Sequence, residues 1–320
     1  MARLISVVLP VYNEAGSLRQ LHKELRAMAT KAGKNYSFEF IFVNDGSADK
    51  SPAILRAIAR SDARITIINL SRNFGHQLAI TAGLDHAKGQ AVITMDSDLQ
   101  DPPDLSIKLI QQWRRGYQIV YAKRRSRRGE SLFKKITAKL FYGFINKLSE
   151  TPIPANVGDF RLMDRQVVDE LNKFREHHRF LRGLVGYLGF KSTTVEFDRL
   201  ARRSGSTAYP VQKMIRLALD GITSFSTAPI KLISRLGYFV SVLSLIGIIY
   251  TLIIRLFEPS RAVPGWAFVT VAMFFIGGVQ LVMLGILGSY IGRLYGEAQR
   301  RPLYIIASVY HRPKRAAAKS

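Results

Sequence analysis

The stretch AVITMDSDLQDPP, Ala91 to Pro103, decides how the chain is read. Val92, Ile93, Thr94 and Met95 form a short, β-branched apolar run of the kind that makes a buried parallel strand. The run breaks into Asp96, Asp98 and Asp101, and Pro102 and Pro103 forbid the strand to continue. In an open α/β sheet, ligands sit beyond the carboxyl ends of the strands. Asp96 and Asp98, spaced by one serine, place hard oxygens there for a single divalent cation, Mg²⁺ or Mn²⁺, with diphosphate and water completing its shell. Gln100 is a further candidate ligand. The plain alternative is an acidic turn after a strand, and an isolated DxD leaves both readings open.

Upstream, the same rhythm repeats. Leu4 to Leu9 is a strand ended by Pro10 and followed by Val11-Tyr12-Asn13-Glu14. A helix is expected from about Glu14 to Thr30, with Leu18, Leu21, Leu25 and Met28 on one face. Phe38 to Val43 closes on Asn44-Asp45-Gly46-Ser47, and Ser51-Pro52 opens the next helix in N-cap and N1 order. Ile65 to Leu70 ends at Ser71-Arg72-Asn73-Phe74-Gly75-His76, and a helix runs on through Leu84. Strands and helices alternating in this way predict a doubly wound, mostly parallel sheet. Each polar cluster follows a strand, so all should meet on one rim. No GxxxxGK[ST] or GxGxxG occurs, which removes the P-loop and the dinucleotide fingerprint. At such a rim Asp45 can accept the imide N–H of a pyrimidine and Glu14 can accept ribose hydroxyls. Both serve equally well as turn residues capping the next helix.

VVLPVYNE, VNDGSADKS, RNFGHQLAITAGLDHAKG, MDSDLQDPP, GDFRLMDR and a pair of long apolar segments near the C-terminus together resemble the polyprenyl-phosphate glycosyltransferases. These are family 2 inverting enzymes with a GT-A fold. The bactoprenol glucosyltransferase type is the nearest in pattern and dolichol-phosphate mannose synthase a more distant relative. The likeness covers about residues 4 to 306. It implies Pro10, Tyr12, Glu14, Asp45, Ser71, Asn73, Asp96 and Arg124 as nucleotide-sugar contacts. It also carries Asp159, in Asn156-Val-Gly-Asp159-Phe-Arg161-Leu-Met-Asp164-Arg165, onto the acceptor side as a catalytic candidate beside Asp98. An ion pair of Asp159 with Arg161 or Arg165 is the alternative, and spacing does not separate the two.

The formal charge of +24 over 320 residues calls for a polyanionic surrounding. Residues 108 to 147 hold twelve Lys or Arg against one acid, Glu130. Lys123-Arg124-Arg125-Ser126-Arg127-Arg128 follows the strand Ile119 to Ala122, again at the rim, where the guanidinium fork suits phosphate oxygens. Arg127 is read as an acceptor-phosphate ligand. From Leu132 to Leu148 apolar residues alternate helically with Lys134, Lys135, Lys139 and Lys147, the pattern of an interfacial helix meeting anionic headgroups. His177 and His178 match no metal pattern and read as a surface helix start. Arg202 and Arg203 precede the loop Gly205-Ser206-Thr207-Ala208-Tyr209. Relatives carry Ser-Lys-aromatic there, so Ala208 removes the lysine expected to close on phosphate; Arg202 or Arg203 is the candidate substitute, and Ser206 is a further candidate phosphate contact.

Val211 to Leu232 reads as a juxtamembrane helix pair. Leu236 to Phe257 is long enough to span a bilayer, and Ala262 to Gly292 carries no charge. The link between them is poor in basic residues and the segment after them is rich, which places both termini in the cytoplasm of a multi-pass inner-membrane protein. The N-terminus lacks the pattern of a cleaved leader. With no cysteine, disulfides and thiolate metal sites are excluded. The expected division is 1–130 for nucleotide sugar and metal, 131–232 for the acceptor side and juxtamembrane helices, 233–257 and 265–292 for two transmembrane helices, and 293–320 for a basic cytoplasmic tail.

The expected activity is inverting transfer of a sugar, glucose from UDP-glucose, to undecaprenyl phosphate, a polyprenyl phosphate lipid. Another lipid or a polysaccharide as acceptor keeps the same fold; a processive synthase would need more spans and a QxxRW-like motif. A non-catalytic basic membrane adaptor explains the charge but not the acid and amide clusters at strand ends. No nucleic-acid-binding signature is present, and homo-oligomerisation stays open.

Overall fold

Buried along almost its whole length, β1 (Arg3–Val11) occupies the middle of an eight-stranded sheet ordered β7-β5-β6-β4-β1-β2-β3-β8. The computed structural model describes residues 2–125, 157–177, 179–198 and 265–311, together with isolated positions between 233 and 257. The remaining strands are β2 (Tyr36–Asn44), β3 (Ile65–Leu70), β4 (Ala91–Thr94), β5 (Ile119–Arg124), β6 (Val157–Asp164), β7 (Ser192–Phe197) and β8 (Ile306–His311). β1 runs parallel to β2 and β4, β2 to β3, and β5 to β7; β6 and β8 are antiparallel to their neighbours. The sheet is therefore mixed, of the type the family resemblance implies.

Two apolar layers cover it. On one face Ile5, Val7, Leu9 and Phe38, Phe40, Phe42 alternate inward against α1 (Leu18–Lys31) and α2 (Ser51–Ser61). Leu18, Leu21, Leu25 and Met28 of α1 are fully buried there, each contributing roughly 1.5–3 kcal/mol of transfer free energy. On the other face α3 (His76–His86) lies close over β1 and β2 because Gly83 has no side chain: a Cβ there would meet Val8 Cγ1 at 2.2 Å and Val43 Cγ2 at 3.2 Å. Among the described residues of this unit the remaining helices are α4 (Leu105–Arg114), α5 (Arg165–Lys173) and α6 (Leu181–Tyr187).

Strand order reverses at β1. The chain steps outward through β2 and β3, then returns to place β4 on β1's other side. That switch point opens a crevice beyond the carboxyl ends of β1 and β4, where Tyr12-Asn13-Glu14 and Asp96-Ser97-Asp98 emerge. β6 enters from the opposite direction, so its first residues, not its last, reach the same rim. Two expectations change. The sheet takes in β6 and β7 from the stretch 131–232 expected on the acceptor side, and residues 306–311 of the expected tail are an edge strand paired with β3. The first helix begins at Leu18, later than the expected Glu14, because Asn13 sits at φ +55° and residues 13–15 are tied to the loop after β2.

A separate unit covers 215–301 and contains α7 (Trp266–Ala298). Among the described residues one segment, Phe275–Ala298, is long and apolar enough to cross a membrane, and none of it is buried. The described positions between 233 and 257 are helical. The rest of the first expected span, the amphipathic helix 132–148, the juxtamembrane stretch 211–232, and Arg127, Arg202, Arg203 and Ser206 lie outside the described residues.

Gly83→Ala should lower the unfolding free energy by about 1–3 kcal/mol, because the sheet and helix must part to admit a methyl. Gly16→Ala, with nothing within 4 Å of its Cβ, is the control. Denaturant titration of the full chain in detergent checks this, and equal midpoints would refute the close-approach argument.

Candidate active site

The rim loops are stapled to one another by side chains. Asn13 N–H donates to Ser47 Oγ at 3.0 Å, Ala48 N–H to Asn13 Oδ1 at 2.9 Å, and Glu14 N–H to Ser51 Oγ at 2.9 Å. Asp45 is buried, and its two oxygens accept N–H from Phe74 at 2.7 Å and Gly75 at 2.9 Å. The loop after β2 thereby carries the loop after β3. Gly46, at φ +67°, makes room for this approach: a Cβ would lie 2.6 Å from the Arg72 and Asn73 backbone. Ser97 Oγ donates to the Pro10 carbonyl and Ser17 Oγ to the Ser97 carbonyl, both at 2.7 Å. These two bonds lock the acidic loop after β4 onto the end of β1.

Asp96 and Asp98 stand in that locked loop. Asp98 Oδ1 accepts the Gln100 N–H at 3.1 Å, an arrangement reached through Leu99 at φ +60°. Asp96 Oδ1 is buried without a hydrogen bond, 3.4 Å from His76 Nε2. Burial pushes the Asp96 carboxyl up, His76 and Arg124 pull it back, and the charges of Asp159 and Asp98 add to the rise. A buried carboxylate oxygen with no donor, beside a second carboxylate, fits a divalent cation. Among the described residues no third His, Asp or Glu completes a protein-only cage.

Behind the acidic pair lies a denser cluster. Asp159, 4% exposed, comes to the rim because antiparallel β6 starts there, and Thr94 Oγ1 bonds its carbonyl. Asp159 Oδ1 receives Arg161 Nη2 at 2.8 Å and Arg182 Nε at 3.1 Å. Its Oδ2 receives Arg182 Nη2 at 3.0 Å and lies 3.3 Å from His76 Nε2. Although burial alone would raise it, the His76 bond and the charges of Arg182 and Arg161 hold Asp159 well below the usual carboxylate range. His76 shifts upward: partial burial lowers it, but the bond to Asp159 and the charges of Asp96 and Asp159 prevail. Arg161 is buried and also donates to the Gly158 and Leu181 carbonyls. Arg124 lies over Gly158, whose missing side chain leaves it room, and is 3.7 Å from Asp101.

Of the residues singled out from sequence, Pro10, Tyr12, Glu14, Asp45, Ser71, Asn73, Asp96, Asp98, Gln100, Arg124 and Asp159 all stand at the carboxyl-end rim or directly behind it. Tyr12 is 51% exposed at its edge. Pro10 and Asp45 contribute from within, by a carbonyl and a carboxylate that hold loops. Ser71 N–H bonds the Ile305 carbonyl, ahead of β8. Asp159 pairs with Arg161, as its spacing allowed, whereas Arg165 instead bonds the Gly89 and Ala87 carbonyls and Asp169. The sequence pointed to neither His76 nor Arg182 as a site residue. His76 closes a motif already noticed, but nothing local marks Arg182, which arrives on α6 from beyond β6. Arg179, which follows the two histidines read as a surface helix start, is buried.

The chain matches the sequence profile described as Glycosyl transferase family 2 over residues 6–171. It is 46% identical over 305 residues to the "Uncharacterized glycosyltransferase YkcC" of Bacillus subtilis, covering 95% of this chain and 94% of that protein. It is 41% identical over 306 residues to the "Bactoprenol glucosyl transferase" of Shigella phage SfV, covering 94% and 97%. Among solved structures it is similar to mannosyl-3-phosphoglycerate synthase from Rubrobacter xylanophilus, at 16% identity, TM-score 0.47, and coverage of 68% and 71%.

Asp45→Ala leaves the Phe74 and Gly75 N–H groups without their acceptor. The expected result is faster amide exchange at those two positions and a loss of about 1–3 kcal/mol in stability. Hydrogen exchange read by mass spectrometry checks it, and unchanged protection over residues 72–76 would show that the loop holds itself.

Proposed function

The chain belongs to glycosyl transferase family 2, and we propose that it transfers glucose from UDP-glucose to a polyprenyl phosphate, undecaprenyl phosphate, at the cytoplasmic face of the inner membrane. The observation that carries the reading is a juxtaposition. Two carboxylates able to hold a divalent cation face His76 and two guanidinium groups, Arg182 and Arg124, able to hold phosphate, in the crevice at the topological switch point. A donor diphosphate and an acceptor phosphate together need both. The name of the Shigella phage relative supports the acceptor and the sugar.

Asp96 and Asp98, with Gln100 as a further candidate, would hold Mg²⁺ or Mn²⁺. When bound, the ion neutralises the departing diphosphate as a Lewis acid. The chain's own residues position the reactants: Tyr12 offers an exposed ring for stacking, Glu14 and Asn73 offer oxygens and an amide to the nucleoside, and Arg124 reaches toward phosphate from the end of β5. Asp45 acts by fixing the loop that carries Asn73. The stapled loops fix these groups before substrate arrives, so catalysis rests on orientation and charge complementarity. Arg127, Arg202, Arg203 and Ser206 remain candidate acceptor-phosphate contacts on sequence grounds.

The membrane assignment draws support from β8. The helical stretch leaves the sheet and returns to it, since residues up to 197 and residues 306–311 share one sheet. A chain that leaves and re-enters one rigid sheet crosses a bilayer an even number of times. The 24 residues Phe275–Ala298 reach about 36 Å, enough for one crossing. A second crossing falls naturally on 233–257, where the described Tyr238, Phe239, Val242, Ile246 and Tyr250 are helical and more than half exposed.

Membranes containing the protein, incubated with radiolabelled nucleotide sugars, Mn²⁺ and undecaprenyl phosphate, should place label from UDP-glucose in the organic phase. Label confined to water-soluble or diacylglycerol products would overturn the acceptor. Asp96→Ala should reduce transfer by at least 10²-fold, and EDTA should abolish it in the wild type; near-normal turnover in either case removes the metal.

Topology has its own measurement, helped by the absence of native cysteine. In intact cells an impermeant maleimide should label Ser260→Cys but neither Ala2→Cys nor Ser320→Cys. Labelling of only one of the two terminal positions would refute an even number of crossings.

A further inference from the structure

Asp159 is surrounded in a way that suits a proton acceptor poorly. An ionised carboxylate offers about four lone-pair directions. Those of Asp159 face Arg161 Nη2 at 2.8 Å, Arg182 Nε at 3.1 Å, Arg182 Nη2 at 3.0 Å and His76 Nε2 at 3.3 Å, with Gln77 Nε2 at 3.5 Å beside the last. A general base must aim a free lone pair at the proton it removes. We propose that Asp159 instead positions Arg182, and that Arg182 is a binding residue for the acceptor phosphate. This rests on the reading of the acceptor as a phosphate monoester.

Charge and exposure divide the cluster into a back and a front. Arg161 is 3% exposed at its side chain and by itself balances the charge of Asp159. Arg182 is 33% exposed and makes the second, two-pronged pair with the same carboxylate. Within the trio two guanidinium charges stand against one carboxylate, and Arg182 is the member that solvent reaches. The two parallel bonds fix the plane of the Arg182 guanidinium, a geometry that lysine cannot copy. The backbone is fixed as well: Leu181 N–H, at the start of α6, donates to Gln77 Oε1 at 3.1 Å, joining α6 to the end of α3 that carries His76. Since His76 also lies 3.4 Å from Asp96, Arg182 is two residues removed from the acidic pair.

The reaction asks for this arrangement. A phosphate monoester with a second pKa near ~6 is largely dianionic at neutral pH. One of its oxygens forms the bond to the anomeric carbon while the bond from that carbon to the diphosphate oxygen breaks, and the electron pair leaves with the diphosphate. Two dianions become a phosphodiester monoanion and a nucleoside diphosphate trianion, with no proton left over. A cation to receive and aim the dianion is needed; a base is not.

The test uses the full chain in membranes. Arg182→Ala should raise the KM for polyprenyl phosphate at least tenfold while changing the KM for nucleotide sugar less than twofold, and Arg182→Lys should recover only part. Asp159→Asn should raise the same acceptor KM, the double variant should be no worse than Arg182→Ala alone, and the pH–rate profile should keep its wild-type limbs. Calorimetric UDP affinity reports that each variant is folded. An unchanged acceptor KM in Arg182→Ala would overturn the proposal. So would an Asp159→Asn enzyme with normal acceptor KM, collapsed kcat and a missing acidic limb, the signature of a base. A wild type that glycosylates only a hydroxyl acceptor sinks the proposed function, is recognised before any variant is made, and overturns this inference too, because a hydroxyl must lose a proton.

Discussion

A single buried carboxylate organises the site. Asp159 has almost no contact with water, and leaving it ionised there would be prohibitive without compensation. Compensation comes from three separate segments: His76 and Gln77 from α3, Arg161 from its own strand, and Arg182 from α6. Because each partner answers to the same charge, the positions of α3, β6 and α6 are coupled at the rim. Removing one partner would leave charge uncompensated, a larger penalty than the worth of an average ion pair.

The second constraint is geometric. A switch point between β1 and β4 creates the crevice, but loops at such a point are free to wander unless held. Here they are held by few, short bonds: Asp45 to the loop after β3, Ser97 to Pro10, Ser17 to Ser97, Asn13 to the loop after β2. Preorganisation of this kind suits the proposed transfer, in which both reactants are anions and the protein's task is to align them. Gly46, Gly83 and Gly158 each permit a close approach that any side chain would obstruct, of loop to loop, helix to sheet and Arg124 to β6.

A third consequence comes from the last strand. By pairing antiparallel to β3, β8 covers an otherwise open sheet edge and returns the chain from the apolar helix to the sheet it left. Tyr304, just before it, donates to Asp85 at the far end of α3, where Arg175 also bonds. The helix whose first residue touches Asp96 and Asp159 is thus secured at both ends.

What the sequence determined by itself was whatever depends on local pattern. The first five strands, the doubly wound rhythm, the rim clusters and the acidic loop follow from apolar runs broken by Pro, Gly, Asn and Asp, since strand period and turn chemistry are properties of neighbouring residues. Tertiary structure alone decided which of those polar residues spend their side chains on holding the fold and which do not. Asp45 and Asp96 look alike in sequence, each an acid at a strand end; one has its oxygens filled by backbone N–H groups, the other keeps a buried oxygen without a hydrogen bond. Arg182 gave no local signal, because its pairing with Asp159 depends on β6 running against its neighbours and bringing that carboxylate to the rim. β8 was hidden for the same reason: a short exposed strand becomes one only when its partner, more than two hundred residues earlier, supplies the hydrogen bonds.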